Sequence, residues 1–215
     1  MYLMLGTCPD IAYTVAALGC HTANPSIKHQ HALDHLFCYL HGSSDYKLVY
    51  HHGVLGGDTI LGYMDTDWGS DVNNCKSTLG YAFTLSGSTI SWSSKKQSAV
   101  ALSSTKAEYI ASAHAAKEAI WLGRLFAGLQ QPSSFPIPLL INNQLAIAIA
   151  KNPEFHDWTK HIDIRYHFLQ HKVELGDITL NYVPTNDQSA NVLTKGLAWE
   201  KHKKFSKELG LCCAD

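Results

Sequence analysis

Leu79-Gly-Tyr-Ala-Phe-Thr-Leu85 and Ser88-Thr-Ile-Ser-Trp-Ser-Ser94, joined by Ser86-Gly87, are the stretch that decides the fold. Both runs are rich in aromatic and β-branched residues, and a Ser-Gly pair lies between them, which predicts a β-hairpin. Just upstream, Ile60 to Met64 is a short apolar run ending at Asp65, a third strand. Just downstream, Thr105 to Leu129 carries a helical pattern, with Thr105-Lys-Ala-Glu108 shaped like a capping box.

The remaining segments extend the same alternation. Pro138 to Ile141 is a short buried strand running into a helix over Gln144 to Lys151. Asp163 to Leu175 is helical and ends at Gly176; Ile178 to Val183 is a strand closed by Pro184; Asp187 to Thr194 and Trp199 to Leu209 are helical. Before the three strands, Ile11 to Cys20 reads as a short helix capped by Asp10. A second helix runs from Pro25-Ser26 to about His41, and Tyr46 to His51 reads as a strand. Glycines at 53, 56 and 57 mark residues 53–58 as a linker. The order is that of a mixed α/β layer architecture.

Composition narrows the function classes. The chain has 215 residues, and 46% are hydrophobic, enough for an ordinary core. A net charge of -1 argues against strong non-specific nucleic-acid binding, which needs a basic face. The six cysteines contain no CxxC pair, which disfavours zinc and suits isolated thiols in a reducing compartment. No run approaches the roughly 20 apolar residues of a membrane span. The first ten residues lack the positive flank of a signal peptide, so a cytoplasmic or nuclear location is expected.

Four polar positions fall near element ends. Asp65 closes the first strand, where Asp commonly starts a turn. Glu108 lies on a face of small residues with Ala111 and Ala115; capping is its commoner use, catalysis the sharper one. Asn142 follows Leu139-Leu-Ile141, and strand ends of this kind favour ligand sites, although Asn also caps helices. Asn191 lies four residues after Asp187, inside the helix Asp187 would cap, where a solvent-facing amide is the plain expectation.

Several blocks in order resemble the RNase H domain of copia-type LTR retrotransposon Pol polyproteins. They are Gly62-Tyr-Met-Asp-Thr-Asp-Trp68, Lys76-Ser-Thr-Leu-Gly-Tyr-Ala-Phe-Thr84, Ser91-Trp-Ser-Ser-Lys-Lys-Gln97, Ala101-Leu-Ser-Ser-Thr-Lys-Ala-Glu-Tyr109, Thr159-Lys-His-Ile-Asp-Ile-Arg-Tyr-His-Phe168 and Leu193-Thr-Lys195. Tyr2-Leu-Met-Leu-Gly-Thr-Cys-Pro-Asp-Ile11 is similar to the end of that family's reverse transcriptase. The resemblance implies an RNase H-like mixed five-stranded sheet flanked by helices, preceded by a small helical segment. It divides the chain into a reverse-transcriptase remnant (1–57), an RNase H-like domain (58–195) and a C-terminal helix and tail (196–215).

Enzymes of that class cut the RNA strand of an RNA–DNA hybrid with two magnesium ions, roughly 4 Å apart, held by clustered carboxylates. The family's four carboxylate positions fall on Asp65, Glu108, Asn142 and Asn191, so two of the four are amides here. An amide carbonyl still coordinates a cation but brings no charge, so metal binding and cleavage are both expected to be severely reduced. Asp65 and Glu108 are the remnant metal ligands. His161 holds an accessory place in the family; for it and His167 a surface role is the commoner use. Lys95 and Lys96 are weak candidates for contact with a hybrid, as are Lys201, Lys203, Lys204 and Lys207; solvated lysines are commoner.

The departures share a direction. Cys8, Cys20, Cys38, Cys75, Trp158 and Trp199 stand where the family shows Arg, and Lys106 where it shows Glu. Each is one C-to-T or G-to-A transition away, the bias left by cytosine deamination in silenced repeats. Cysteine cannot hold a phosphate as an arginine fork does. The expected protein is a Pol fragment descended from a hybrid ribonuclease and catalytically inactive, with the rest of Pol and a weakly bound hybrid as partners. An active magnesium-dependent nuclease and a non-enzymatic interaction protein, such as a secreted effector drawn from transposon sequence, are the alternatives.

Overall fold

A computed structural model describes residues 1–51, 59–69, 74–129, 135–151 and 164–213. The linker expected at 53–58, His161 and Asp163 lie outside the described residues.

Five strands form the central sheet: β2 (Leu61–Asp67), β3 (Thr78–Leu85), β4 (Ser88–Lys96), β5 (Ile137–Ile141) and β6 (Ile178–Tyr182). Their order is β4-β3-β2-β5-β6. The β4–β3 and β3–β2 pairs are antiparallel, and the β2–β5 and β5–β6 pairs are parallel. This is the mixed five-stranded sheet flanked by helices that the blocks imply. The β3–β4 hairpin turns at Ser86 (φ 53°) and Gly87 (φ 81°), the paired left-handed conformation favoured by two-residue hairpins.

Helix α4 (Ser104–Gly128) covers one face through a seam of alanines, among them Ala107, Ala111, Ala115 and Ala119, all fully buried. Small side chains let the helix backbone approach the strands closely. There it packs with α5 (Gln144–Lys151) and α6 (Ile164–Glu174) around Met64, Phe83, Leu139 and Ile141. Ser112 Oγ on α4 donates to the Met64 sulfur at 3.3 Å.

A second core lies around Ala82, Val192, Leu193, Phe205 and Leu209. Met4 of α1 (Tyr2–Gly6), Ala12 of α2 (Ala12–Gly19) and Leu36 of α3 (Ile27–Gly42) join it, so the first helices share a core with α7 (Trp199–Glu208). Trp92 Nε1 donates to the Met4 carbonyl at 2.7 Å. Strand β1 (Tyr46–Leu48) pairs antiparallel with β7 (Leu211–Cys213), a pairing the sequence pattern does not reveal. Among the described residues, no helix is long and apolar enough to cross a membrane. All six cysteines are free.

Several local expectations need correction. Asp10 is not a cap: it is buried at the start of the α2 region and accepts a hydrogen bond from the Tyr39 hydroxyl. Ser26 does cap α3, with His29 completing the box. Asp187 to Thr194 forms two 3-10 turns, Thr185–Asp187 and Ser189–Leu193; the Gln188 side chain caps the second, while exposed Asp187 bonds Lys204 at 2.9 Å.

Candidate metal centre

Asp65 is the fifth residue of the seven-residue β2, inside the strand rather than at its end, and only 1% exposed. Its partner on β3 is Gly80. A Cβ at Gly80 would lie 2.7 Å from Leu193 Cβ and from Thr194 Cγ2, so glycine lets the Ser189–Leu193 turn sit directly on the strand. That seat delivers the next two residues to the carboxylate. Thr194 Oγ1 donates to Asp65 Oδ2, and Lys195 Nζ lies 3.2 Å from the same oxygen. Asn142, just past β5, donates from Nδ2 to Asp65 Oδ1 at 3.2 Å. Hydrogen-bond donors from three residues thus face one buried carboxylate.

Glu108 does not cap α4. Ser103 does, accepting from the Lys106 amide at 3.2 Å. The Glu108 side chain is instead buried, and its Oε2 has no hydrogen-bond partner among the described residues. Burial, and after it the nearby charge of Asp65, push its carboxyl well above the usual Glu range; Lys195 pulls the other way. Glu108 therefore lies within electrostatic reach of both.

Asn191 is buried rather than solvent-facing. Its Nδ2 donates to the Thr185 carbonyl at 2.8 Å, and its Oδ1 is without a partner among the described residues, as is Asn142 Oδ1. The Asn191 carbonyl accepts from the Thr194 and Lys195 amides at 3.2 and 3.3 Å, linking it to the Asp65 ligands through the backbone. Asp65 and Asn142 are in direct contact, Glu108 is near in charge, and Asn191 is tied to its own turn.

Two supports were not anticipated from the sequence. Gln188, fully buried, donates from Nε2 to the Met64 and Leu140 carbonyls at 2.8 and 3.0 Å, stitching β2 to β5 beside Asp65 and Asn142. Gln97 donates to the Ala107 carbonyl at 3.0 Å, next to Glu108. Gln97 directly follows β4 and Gln188 directly follows the Thr185–Asp187 turn, and only their burial identifies them.

Lys95 and Lys96 are less well placed. They pair with Leu79 and Thr78, which pair in turn with Thr66 and Asp67, so they stand two strands, about 10 Å, from the Asp65 end of β2. Alternation along β4 sends them to opposite faces. Lys201, Lys203, Lys204 and Lys207 are exposed on α7, with Lys204 engaged by Asp187 and Glu208. His167 is exposed on α6. Among the described residues no group of three or more His, Cys, Asp or Glu is arranged to hold a metal ion.

No family model matches the chain. It is 39% identical over 214 residues to the retrovirus-related Pol polyprotein from transposon TNT 1-94 of Nicotiana tabacum, covering 98% of this chain and 16% of that protein. This chain belongs to the retrovirus-related Pol polyproteins of transposons. It spans about a sixth of the length of that Pol relative. It is also 43% identical over 122 residues to secreted RxLR effector protein 161 of Plasmopara viticola, covering 57% of this chain and 84% of the effector. Among solved structures, the N-terminal RNase H domain of Rv2228c from Mycobacterium tuberculosis is similar at a TM-score of 0.44 and 14% identity, over 70% of this chain and 97% of that one. So loose a likeness leaves the fold to the strand order and register of this Pol segment.

Proposed function

We propose that this Pol segment descends from a ribonuclease of RNA–DNA hybrids and has lost that activity. The observation that carries the reading is the contact of Asn142 Nδ2 with Asp65 Oδ1. A magnesium ligand must turn an oxygen lone pair toward the ion. Here the amide turns a donor toward the carboxylate, and the Thr194 hydroxyl and Lys195 ammonium engage its other oxygen. The partnerless oxygens of Glu108, Asn142 and Asn191 are acceptors of the right chemical kind, but only one of them belongs to a carboxylate. Paired divalent cations need more negative charge than Asp65 and Glu108 supply, so the residues present do not fit the family's two-magnesium site. No catalytic step is therefore routed through it.

On this reading, residues 1–57 descend from reverse transcriptase, 58–195 from RNase H, and 196–215 form a C-terminal extension. The remainder of Pol is the natural partner, and a hybrid binds weakly, through scattered lysines such as Lys95 and Lys96. The location is cytoplasmic or nuclear.

The test is cleavage of a labelled RNA–DNA hybrid in magnesium or manganese. The unaltered chain is expected to leave the RNA intact, and the Asn142→Asp/Asn191→Asp double variant to cleave measurably. Robust degradation by the unaltered chain refutes the reading.

The 43% identity to a secreted effector favours a second reading, a non-enzymatic interaction protein. Release of a tagged full-length chain from a eukaryotic cell would support it; complete retention would remove it.

A further inference from the structure

We propose that the Lys195 ammonium is the resident cation of this centre: a tethered charge that stands beside Asp65 where a divalent metal would stand, and so disfavours metal entry. The proposal rests on the reading of the site given under Proposed function and adds the device that keeps the site stable without metal.

The geometry is specific. Lys195 Nζ is 3.2 Å from Asp65 Oδ2, and Asp65 is 1% exposed while the lysine side chain is 32% exposed. The ammonium therefore reaches a buried anion from the mouth of the site. A buried carboxylate without a counter-charge is strongly unfavourable, and a lysine at this spot relieves that cost. The placement is built into the backbone. The Thr194 and Lys195 amides both bond the Asn191 carbonyl, and the turn that carries them is seated against Gly80. Thr194 and Lys195 consequently approach the same oxygen from one short stretch of chain.

The lysine also has somewhere else to go. It borders a cavity of about 480 Å³ between α3 and α7, lined by Asp10, Tyr39, Trp199 and His202 among others. A long, flexible side chain between a buried carboxylate and a mainly apolar cavity, whose wall suits the lysine stem, is a displaceable plug rather than a fixed strut. A divalent ion arriving at Asp65 must therefore compete with an ammonium held at very high local concentration.

The test is calorimetric titration of the full chain with Mn²⁺, in the unaltered form and as Lys195→Gln, Lys195→Arg and Asn142→Asp/Asn191→Asp. Lys195→Gln is expected to bind Mn²⁺ at least about tenfold more tightly. It should also melt lower than the unaltered chain in chelator and recover on addition of Mn²⁺. Lys195→Arg, which keeps the charge, should stay as weak as the unaltered chain. If Lys195→Gln binds no more tightly, the proposal is overturned. If the double Asp variant nevertheless gains affinity, the reading of the amides survives that failure. Should Lys195→Gln not fold, the unaltered chain decides. Its Lys195 amine should be acetylated faster in excess Mn²⁺ than in chelator, with Lys201 and Lys203 unchanged as internal controls. Unchanged labelling of Lys195 overturns the proposal.

Discussion

Asn142→Asp tests the electrostatics of the centre most directly. The amide nitrogen of Asn142 lies 3.2 Å from Asp65 Oδ1. Replacing it with a carboxylate oxygen turns a hydrogen bond into a contact between like charges. At an effective dielectric constant of about 20, two unit charges at that separation repel by about 5 kcal/mol. Lys195 beside the other oxygen offsets part of this. The new carboxyl also has an escape, because it can take up a proton. For a group that ordinarily titrates near 3.9, protonation at pH 7 costs about 4 kcal/mol, which caps the penalty. A loss of about 3 kcal/mol is therefore expected, or a fall in Tm of about 6–12 °C for a chain of this size.

The sign of the pH dependence follows. The introduced carboxyl titrates higher in the folded than in the unfolded chain, so its penalty is absent below the unfolded value and grows as pH rises through the folded one. The assay is thermal unfolding followed by circular dichroism, at about pH 4 and about pH 7, in chelator and in excess Mg²⁺. Acid should return the variant to the unaltered Tm. Magnesium at about 100 times its Kd would restore about 2.7 kcal/mol. A variant that melts within about 1 °C of the unaltered chain at neutral pH in chelator refutes the reasoning. So does a drop that neither acid nor magnesium reverses.

Other substitutions probe the supports. The Glu108 carboxyl is held above its usual range by burial and by Asp65, so its contribution favours folding in acid and is lost as pH rises through the folded value. Glu108→Gln should accordingly raise Tm at neutral pH and flatten the decline of Tm with pH. Gly80→Ala places a methyl 2.7 Å from Leu193 and Thr194 and should cost about 1–3 kcal/mol in urea unfolding, with the Ser189–Leu193 turn losing amide-exchange protection first. Tyr39→Phe removes the hydroxyl that Asp10 accepts from inside the second core and should cost about 1.5–3 kcal/mol by the same measurement. Leu139→Ala, in the fully buried centre of β5, should cost about 2–5 kcal/mol.

The fold was legible where periodicity is strong. The β3–β4 hairpin, α4 and the β5–α5 pair lie within a residue or two of the pattern that signals them, because each owes its form to local turn chemistry and one buried face. The β1–β7 pairing was not legible: three-residue strands joined across most of the chain leave no local signature. The site was readable as a set of positions only through the family blocks. Spacing alone favoured Glu108 as a cap, because Thr105-Lys-Ala-Glu108 satisfies the capping pattern; Ser103 takes that role, which leaves Glu108 to be buried. Asn191 read as solvent-facing for a similar reason, since a four-residue offset assumes an α-helix and the backbone there forms 3-10 turns. Lys195 was visible only as the last letter of Leu193-Thr-Lys195. A lysine after a turn ordinarily points to water, and only the depth of Asp65 shows why this one does not.

The shared core of Met4, Ala12, Leu36, Phe205 and Leu209 bears on how such segments persist as genomes erode them. A deletion that removed the opening fifty codons would bare an oily groove along the last helix and strip the tail strand of its mate. The product would tend to clump rather than circulate as a smaller protein. The two ends of this segment are therefore welded in space though far apart in the gene, and are expected to be kept or lost together.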